Sequence, residues 1–221
     1  MSAAAPLRLG ILISGRGSNM TAIARACLNG DIAAHTAIVI ADRADAGGLA
    51  SAAALGIPTA VVQRSTARDA AAFEATLAAT LEAQRPDAIA LAGFMRILSA
   101  GFVARFCGRM FNIHPALLPA YRGLHTHRRV LAARATQHGA SVHFVTAELD
   151  GGPVVLQSRV AVKPGDTEAT LSARVQATEH IIYPRVLAWF AQRRLAWRDG
   201  AAWFDGRILE TPIVEDFRDP E

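Results

Sequence analysis

Apolar residues fall in short unbroken runs, and between those runs lie stretches whose apolar positions recur every three or four residues. Residues 7–13, 36–41, 57–62, 88–92 and 110–113 are continuous rather than alternating and are bounded by Gly, Pro, Asp or Asn, which reads as strands buried on both faces. The intervening segments 18–27, 47–55, 67–83 and 101–106 carry helical spacing, the second of them closed by Gly56. Strand and helix in steady succession predict an α/β fold, a Rossmann-like, mostly parallel twisted sheet with helices on both faces. Beyond Pro119 the rhythm changes. A helix to about residue 136, an alternating strand 141–145, a second strand 154–162, a helix 168–193 and a hairpin around 197–203 predict antiparallel strands in the C-terminal part. No repeat or low-complexity linker interrupts the 221 residues, so a single domain over 1–221 is expected.

Composition narrows the picture by exclusion. With 52% hydrophobic and 19% charged residues the chain is too apolar for disorder. Arg96 and Arg105 break the longest apolar stretch, 88–106, below the length of a membrane span. No basic cluster precedes an apolar run at the N-terminus, so a cytoplasmic location is the default expectation. Cys27 and Cys107 lack the spacing of a disulfide framework or a zinc site. The net charge of +4 rests on scattered arginines, with Lys163 the single lysine and no interleaved aromatics, which favours small anionic ligands over nucleic acid.

Candidate chemistry centres on Asn112 and His114, two residues apart where a strand meets Pro115. Side chains two apart on a strand share a face, and ligands of open α/β sheets bind at strand carboxyl ends. An amide and an imidazole there could stabilise and protonate an oxyanion, although an Asn closing a strand and a His satisfied by backbone would give the same pattern. Gly15-Arg16-Gly17-Ser18-Asn19 joins the first strand to the first helix, a turn whose N–H groups suit a single phosphate; the third Gly of a dinucleotide fingerprint and the Lys of a Walker loop are missing. Asp42, just past the second strand, keeps a ribose-binding acid of a dinucleotide fold open as an alternative. Residues 92–98 leave the fourth strand at the same edge and could line a flat pocket or merely lead into the next helix. His125 and His127 lack acidic or Cys neighbours for a metal site, so none is expected. Asp150-Gly151 alone reads as a turn. On the last helix Glu179 falls within the stripe of Leu171, Val175, Ile182, Val186 and Trp189; a carboxylate there calls for a polar partner from elsewhere, such as a hydroxylated ligand.

Five runs together carry a resemblance: Leu12-Ile13-Ser14-Gly15-Arg16-Gly17-Ser18-Asn19, Ala92-Gly93-Phe94-Met95-Arg96-Ile97-Leu98, Asn112-Ile113-His114-Pro115, Gly123-Leu124-His125-Thr126-His127, and Ser141-Val142-His143-Phe144-Val145 with Glu148-Leu149-Asp150-Gly151-Gly152. Over nearly its whole length the chain resembles the phosphoribosylglycinamide formyltransferases of purine biosynthesis. The resemblance implies formyl transfer from 10-formyltetrahydrofolate to the amino group of 5-phosphoribosylglycinamide, by a monomer or homodimer acting on small molecules without a metal. It implies a phosphate-binding half, about 1–110, and a folate-binding and catalytic half, about 111–221. By motif, Gly17, Ser18 and Asn19 would hold the phosphate, and Gln176, Ala177, Thr178 and Glu179 the ribose and glycinamide. Met95, Arg96, Ile97, Leu98, Asn112 and residues Thr146, Ala147, Glu148, Leu149 and Asp150 would line the folate site, with Arg68, or Arg64 close to it, as a further contact. Asn112, His114 and Asp150 would form the catalytic trio. Ala120 and Arg122 stand where the family often has Lys and Pro. Methionyl-tRNA formyltransferase and formyltetrahydrofolate hydrolase share parts of this pattern, but each would need a further domain for which 221 residues leave no room.

Overall fold

The computed structural model describes residues 5–217. Eight strands form one sheet in the order β11-β7-β6-β5-β4-β1-β2-β3. Strands β1 (Leu7–Ile13), β2 (Ala34–Ala41), β3 (Thr59–Val61), β4 (Ala88–Leu91) and β5 (Met110–His114) run parallel, joined by helices α1 (Ser18–Leu28), α2 (Gly48–Ala54), α3 (Ala70–Ala83) and α4 (Ala100–Arg105). After α5 (Thr126–Ala132), β6 (Gln137–Phe144) pairs antiparallel with both β5 and β7 (Val154–Ala161). Helix α6 (Glu168–Ala191) follows, then a small antiparallel sheet of β8 (Leu195–Arg198), β9 (Ala201–Phe204) and β10 (Arg207–Ile208). The last strand, β11 (Ile213–Asp216), returns to the main sheet parallel to β7, a pairing the sequence pattern did not announce.

Alternation along the strands divides the core between two faces. Leu9, Ile11 and Ile13 of β1 join Ile23 of α1 and Val175 and Ile182 of α6 in one cluster; Leu12 joins Phe73 and Leu77 of α3 and Phe102 of α4 in the other. Because both faces are covered, the central strands are apolar throughout. Helix α3 starts at Ala70 rather than residue 67 because the Asp69 carboxylate accepts from the Ala72 N–H at 2.7 Å, an N-cap that sets the first turn. Thr167 caps α6 in the same manner, with Thr170 closing a reciprocal box. Buried Tyr183 on α6 turns its hydroxyl to the carbonyls of Leu91 and Phe111, 3.2 and 2.9 Å away, which locks the helix to the carboxyl end of β4 and to the first residues of β5 beside it. No helix among the described residues is long and apolar enough to cross a membrane.

Candidate active site

From β1 the chain proceeds to β2 and β3 on one side, and β4 then lies on the other side of β1. This reversal of strand order opens a crevice at the carboxyl ends of β1 and β4, the position at which open α/β sheets bind ligands. The loops that leave the two strands are tied together. The Ser14 N–H donates to the Gly93 carbonyl at 3.2 Å, and the Met95 N–H donates to Ser14 Oγ at 2.8 Å.

Gly17 begins α1 with φ +74°, and a Cβ on it would lie 2.8 Å from Gly48 Cα, so the turn depends on a bare backbone. Around it is a cavity of about 270 Å³ lined by residues 15–19, Ser172, Gln176 and Glu179 among others. Asn19, itself buried, donates from Nδ2 to Glu179 Oε2 at 2.8 Å, and Gln176 donates to Ser18 Oγ at 3.2 Å. The apolar stripe of α6 thus carries its carboxylate against a protein amide. Burial raises the Glu179 carboxyl above its ordinary range, and the Asn19 bond only partly opposes this. Asn19 Oδ1 is buried without a partner. Of the four α6 residues expected at the ribose, Gln176 and Glu179 reach this cavity. Ala177 faces solvent, and Thr178 is buried with its hydroxyl 2.7 Å from that of Ser158, so neither lines it.

A second cavity of about 730 Å³ adjoins the first, within the size range of small-molecule sites. Leu91, Phe94, Leu98, Val103 and Val145 form apolar walls, and residues 95–97 and 146–150 form the mouth. Met95, Ile97 and Leu149 expose apolar side chains there. Every expected folate residue lines this cavity except Arg68. That side chain is 87% exposed and folds onto Asp69, 3.1 Å away, because the helix cap holds an anion beside it; Arg64 does not line the cavity either. Asp42 is not free for a ribose: its buried carboxylate pairs with Arg96 Nε at 2.5 Å, anchoring the 92–98 loop to the end of β2. Arg122, at the departure from the family pattern, forms an ion pair with Glu148 and so clasps the two loops over the site.

Asn112, His114 and Asp150 meet at the wall of this cavity. His114 Nδ1 lies 3.4 Å from Asp150 Oδ2, while His114 Nε2–H donates to the Tyr121 carbonyl at 3.0 Å. Both ring nitrogens therefore face acceptors, which an imidazolium satisfies at both and a neutral ring at only one. Asp150, at φ 49°, also accepts the Gly123 N–H through Oδ2 at 2.9 Å. Its loop is seated by Gly152, where a Cβ would come 1.9 Å from the Phe144 carbonyl oxygen.

His143, which sequence reasoning placed only inside a strand, completes the group. The β5–β6 register sets Asn112 directly opposite His143, so the two side chains form a cross-strand pair. His143 Nδ1 is 2.8 Å from the Phe144 carbonyl and must carry the proton; its Nε2 is then an acceptor for Asn112 Nδ2 at 3.1 Å. Burial pushes this imidazole down to about 4, outweighing the Phe144 carbonyl and Asp150, so it stays neutral at pH 7. One Asn112 N–H is thereby pinned. The other is left to donate into the cavity.

The loop after β5 is held as firmly. Ser141, opposite His114, donates to the Ala116 carbonyl at 2.6 Å and accepts from the Leu118 N–H at 3.0 Å, and buried Gln157 donates to Ser141 Oγ and the Leu118 carbonyl. His127, in contrast, pairs with buried His138 rather than pointing to water. Among the described residues no three His, Cys, Asp or Glu side chains are grouped as a metal site.

Comparison with known proteins places this geometry. The formyl transferase family pattern matches residues 7–187. The chain is 49% identical over 199 residues to phosphoribosylglycinamide formyltransferase of Escherichia coli (strain K12), spanning 90% of this chain and 94% of that protein. The Haemophilus influenzae protein of the same name is 42% identical over 202 residues, spanning 91% and 95%. The solved structure of phosphoribosylglycinamide formyltransferase from Coxiella burnetii superposes with a TM-score of 0.90 at 46% identity, covering 95% of this chain and 99% of that one. The chain belongs to the formyl transferase family.

Proposed function

We propose that the protein transfers a formyl group from 10-formyltetrahydrofolate to the amino group of 5-phosphoribosylglycinamide, yielding the formylglycinamide ribonucleotide and tetrahydrofolate. The observation that carries this reading is the meeting of two unlike cavities beside Asn112, His114 and Asp150. One is small and polar, with a Gly-rich helix start and a buried carboxylate; the other is large and apolar, with loop backbone at its mouth. The first suits a phosphate on residues 17–19 and ribose hydroxyls on Glu179. The second suits a pterin ring read by the backbone of residues 95–98 and 146–150.

In this mechanism the glycinamide amine attacks the formyl carbon on N10, and the carbonyl becomes an oxyanion. The free N–H of Asn112 donates to that oxygen, and the imidazolium of His114, whose two N–H groups face Asp150 and the Tyr121 carbonyl, stabilises it by its positive charge. Asp150 supports the imidazolium and receives, through water, the proton lost by the amine. The bond from the formyl carbon to N10 then breaks, N10 leaves with a proton, and the formyl group remains on the amine. The test is to mix purified protein with 10-formyltetrahydrofolate and follow loss of the formyl folate with and without phosphoribosylglycinamide. Loss that requires the acceptor supports the proposal; equal loss without it identifies a hydrolase and overturns it.

A further inference from the structure

Five residues line both cavities: Gly93, Met95, Ile113, Pro115 and His127. Four of them offer apolar surface or bare backbone. Only His127 brings a hydrogen-bonding side chain to the passage between the phosphate end and the formyl end. A glycinamide arm reaching from a ribose at Glu179 to the carbon beside His114 crosses this passage, and its amide carbonyl needs a donor once water is displaced.

The second observation concerns the far side of the same ring. His127 Nδ1 lies 2.9 Å from Nε2 of His138, with the rings nearly perpendicular at 83°. His138 is 1% exposed on β6, and burial, with the neighbouring His127 and His114, pushes it down to about 4; burial lowers His127 as well. Two neutral rings in this contact share one proton. If His127 supplies it, the atom left for the passage is a bare acceptor that repels a carbonyl. If His138 supplies it, His127 keeps its proton on Nε2 and presents a donor.

We propose that His127 binds the amide carbonyl of the glycinamide arm through Nε2–H, and that buried His138 acts as a positioning residue that fixes this tautomer. This rests on the acceptor reading above, and turnover of phosphoribosylglycinamide by the unmutated protein is the control for that reading alone. Loss of one neutral hydrogen bond costs about a factor of ten in binding. His127→Ala is therefore expected to raise KM for phosphoribosylglycinamide about tenfold, with KM for formyl folate changed less than about twofold. His127→Gln, whose amide N–H can occupy the place of Nε2–H, should recover most of the loss. Ribose 5-phosphate, tested as a competitive inhibitor, lacks the glycinamide arm and should keep its inhibition constant in His127→Ala. His138→Phe removes the tautomer control and should reproduce part of the KM effect; His138→Gln, able to donate, should restore it if the Phe variant folds poorly. An inhibition constant for ribose 5-phosphate that rises along with KM puts His127 on the phosphate or ribose, and a KM that His127→Ala leaves unchanged removes it from the substrate; either overturns the proposal.

Discussion

Replacing Asp150 with Asn separates the charge of this side chain from its place in a turn. The backbone at φ 49° tolerates Asn as well as Asp, since both side chains are short and polar. Oδ2 carries the structural contacts, to the Gly123 N–H at 2.9 Å and towards His114 at 3.4 Å, and an Asn oxygen can stand in that position. The amide NH₂ then falls where Oδ1 is now, 3.8 Å from His143 Nε2, whose lone pair already takes Asn112, so the new donor faces the cavity rather than a protein acceptor. No buried group loses a partner, so unfolding stability should change by less than about 1 kcal/mol. The chemical loss is of another order. In the proposed mechanism the His114 imidazolium loses its counter-charge and the amine proton its acceptor, and acid–base contributions of this kind are about 10²–10⁴-fold, or roughly 3–5 kcal/mol of barrier. The assay is steady-state turnover at saturating levels of both substrates, with thermal unfolding and KM for formyl folate measured alongside. Turnover above about a tenth of the unmutated value, well short of that range, would refute the catalytic role.

Asn112→Ala should lower turnover by about 10²–10³-fold, the usual cost of one oxyanion donor, and near-normal turnover removes the amide from the mechanism. Glu179→Gln should raise the unfolding temperature of the ligand-free protein at pH 7–8 while raising KM for phosphoribosylglycinamide. The folded carboxyl titrates above its unfolded value, so its stabilising contribution is complete below the unfolded pKa and is lost as pH rises; a stability gain that fails to grow with pH contradicts this. His143 works in the opposite sense. Its folded value of about 4 lies below the unfolded 6.5, so the protein should lose about 3 kcal/mol as pH falls through that window, and denaturant unfolding of His143→Gln should show a shallower pH slope. Gly152→Ala should cost about 1–3 kcal/mol and displace the 146–150 loop, because its Cβ meets the Phe144 carbonyl rather than a flexible side chain; unchanged melting and turnover would show that the strand pair yields freely.

How much of this was readable in the chain follows from how far apart the determinants lie. The first four crossovers were legible because parallel strands buried on both faces are apolar runs, and the turn at residues 15–19 declares itself within five residues. The β5–β6 pairing was not legible. Asn112 faces His143 only because two strands 31 residues apart adopt one register, and no local pattern states a register. The same holds for β11, whose short Ile213–Asp216, two apolar and two acidic residues, reads as tail until β7 accepts it as an edge neighbour. The placement of Arg68 outside the cavity lining has the opposite origin, being decided by its immediate neighbour, the capping Asp69.

Glu179 shows where the two kinds of information meet. A lone carboxylate at a helix position surrounded by Val175, Ile182 and Val186 signals a polar partner by period alone, yet period cannot say whether that partner is protein or ligand. The structure supplies Asn19, 160 residues earlier in the chain, and with it the first turn of the helix that bears the Gly-rich loop. Only one carboxylate oxygen takes that bond, and Asn19 retains a buried oxygen without any partner. Protein contacts therefore leave this pair partly unsatisfied beside the cavity that residues 15–19 and Glu179 line. In the proposed binding mode the acceptor for ribose hydroxyls and the donors for the phosphate are coupled through this one side chain, so a change at Asn19 should disturb both ends of the sugar phosphate together.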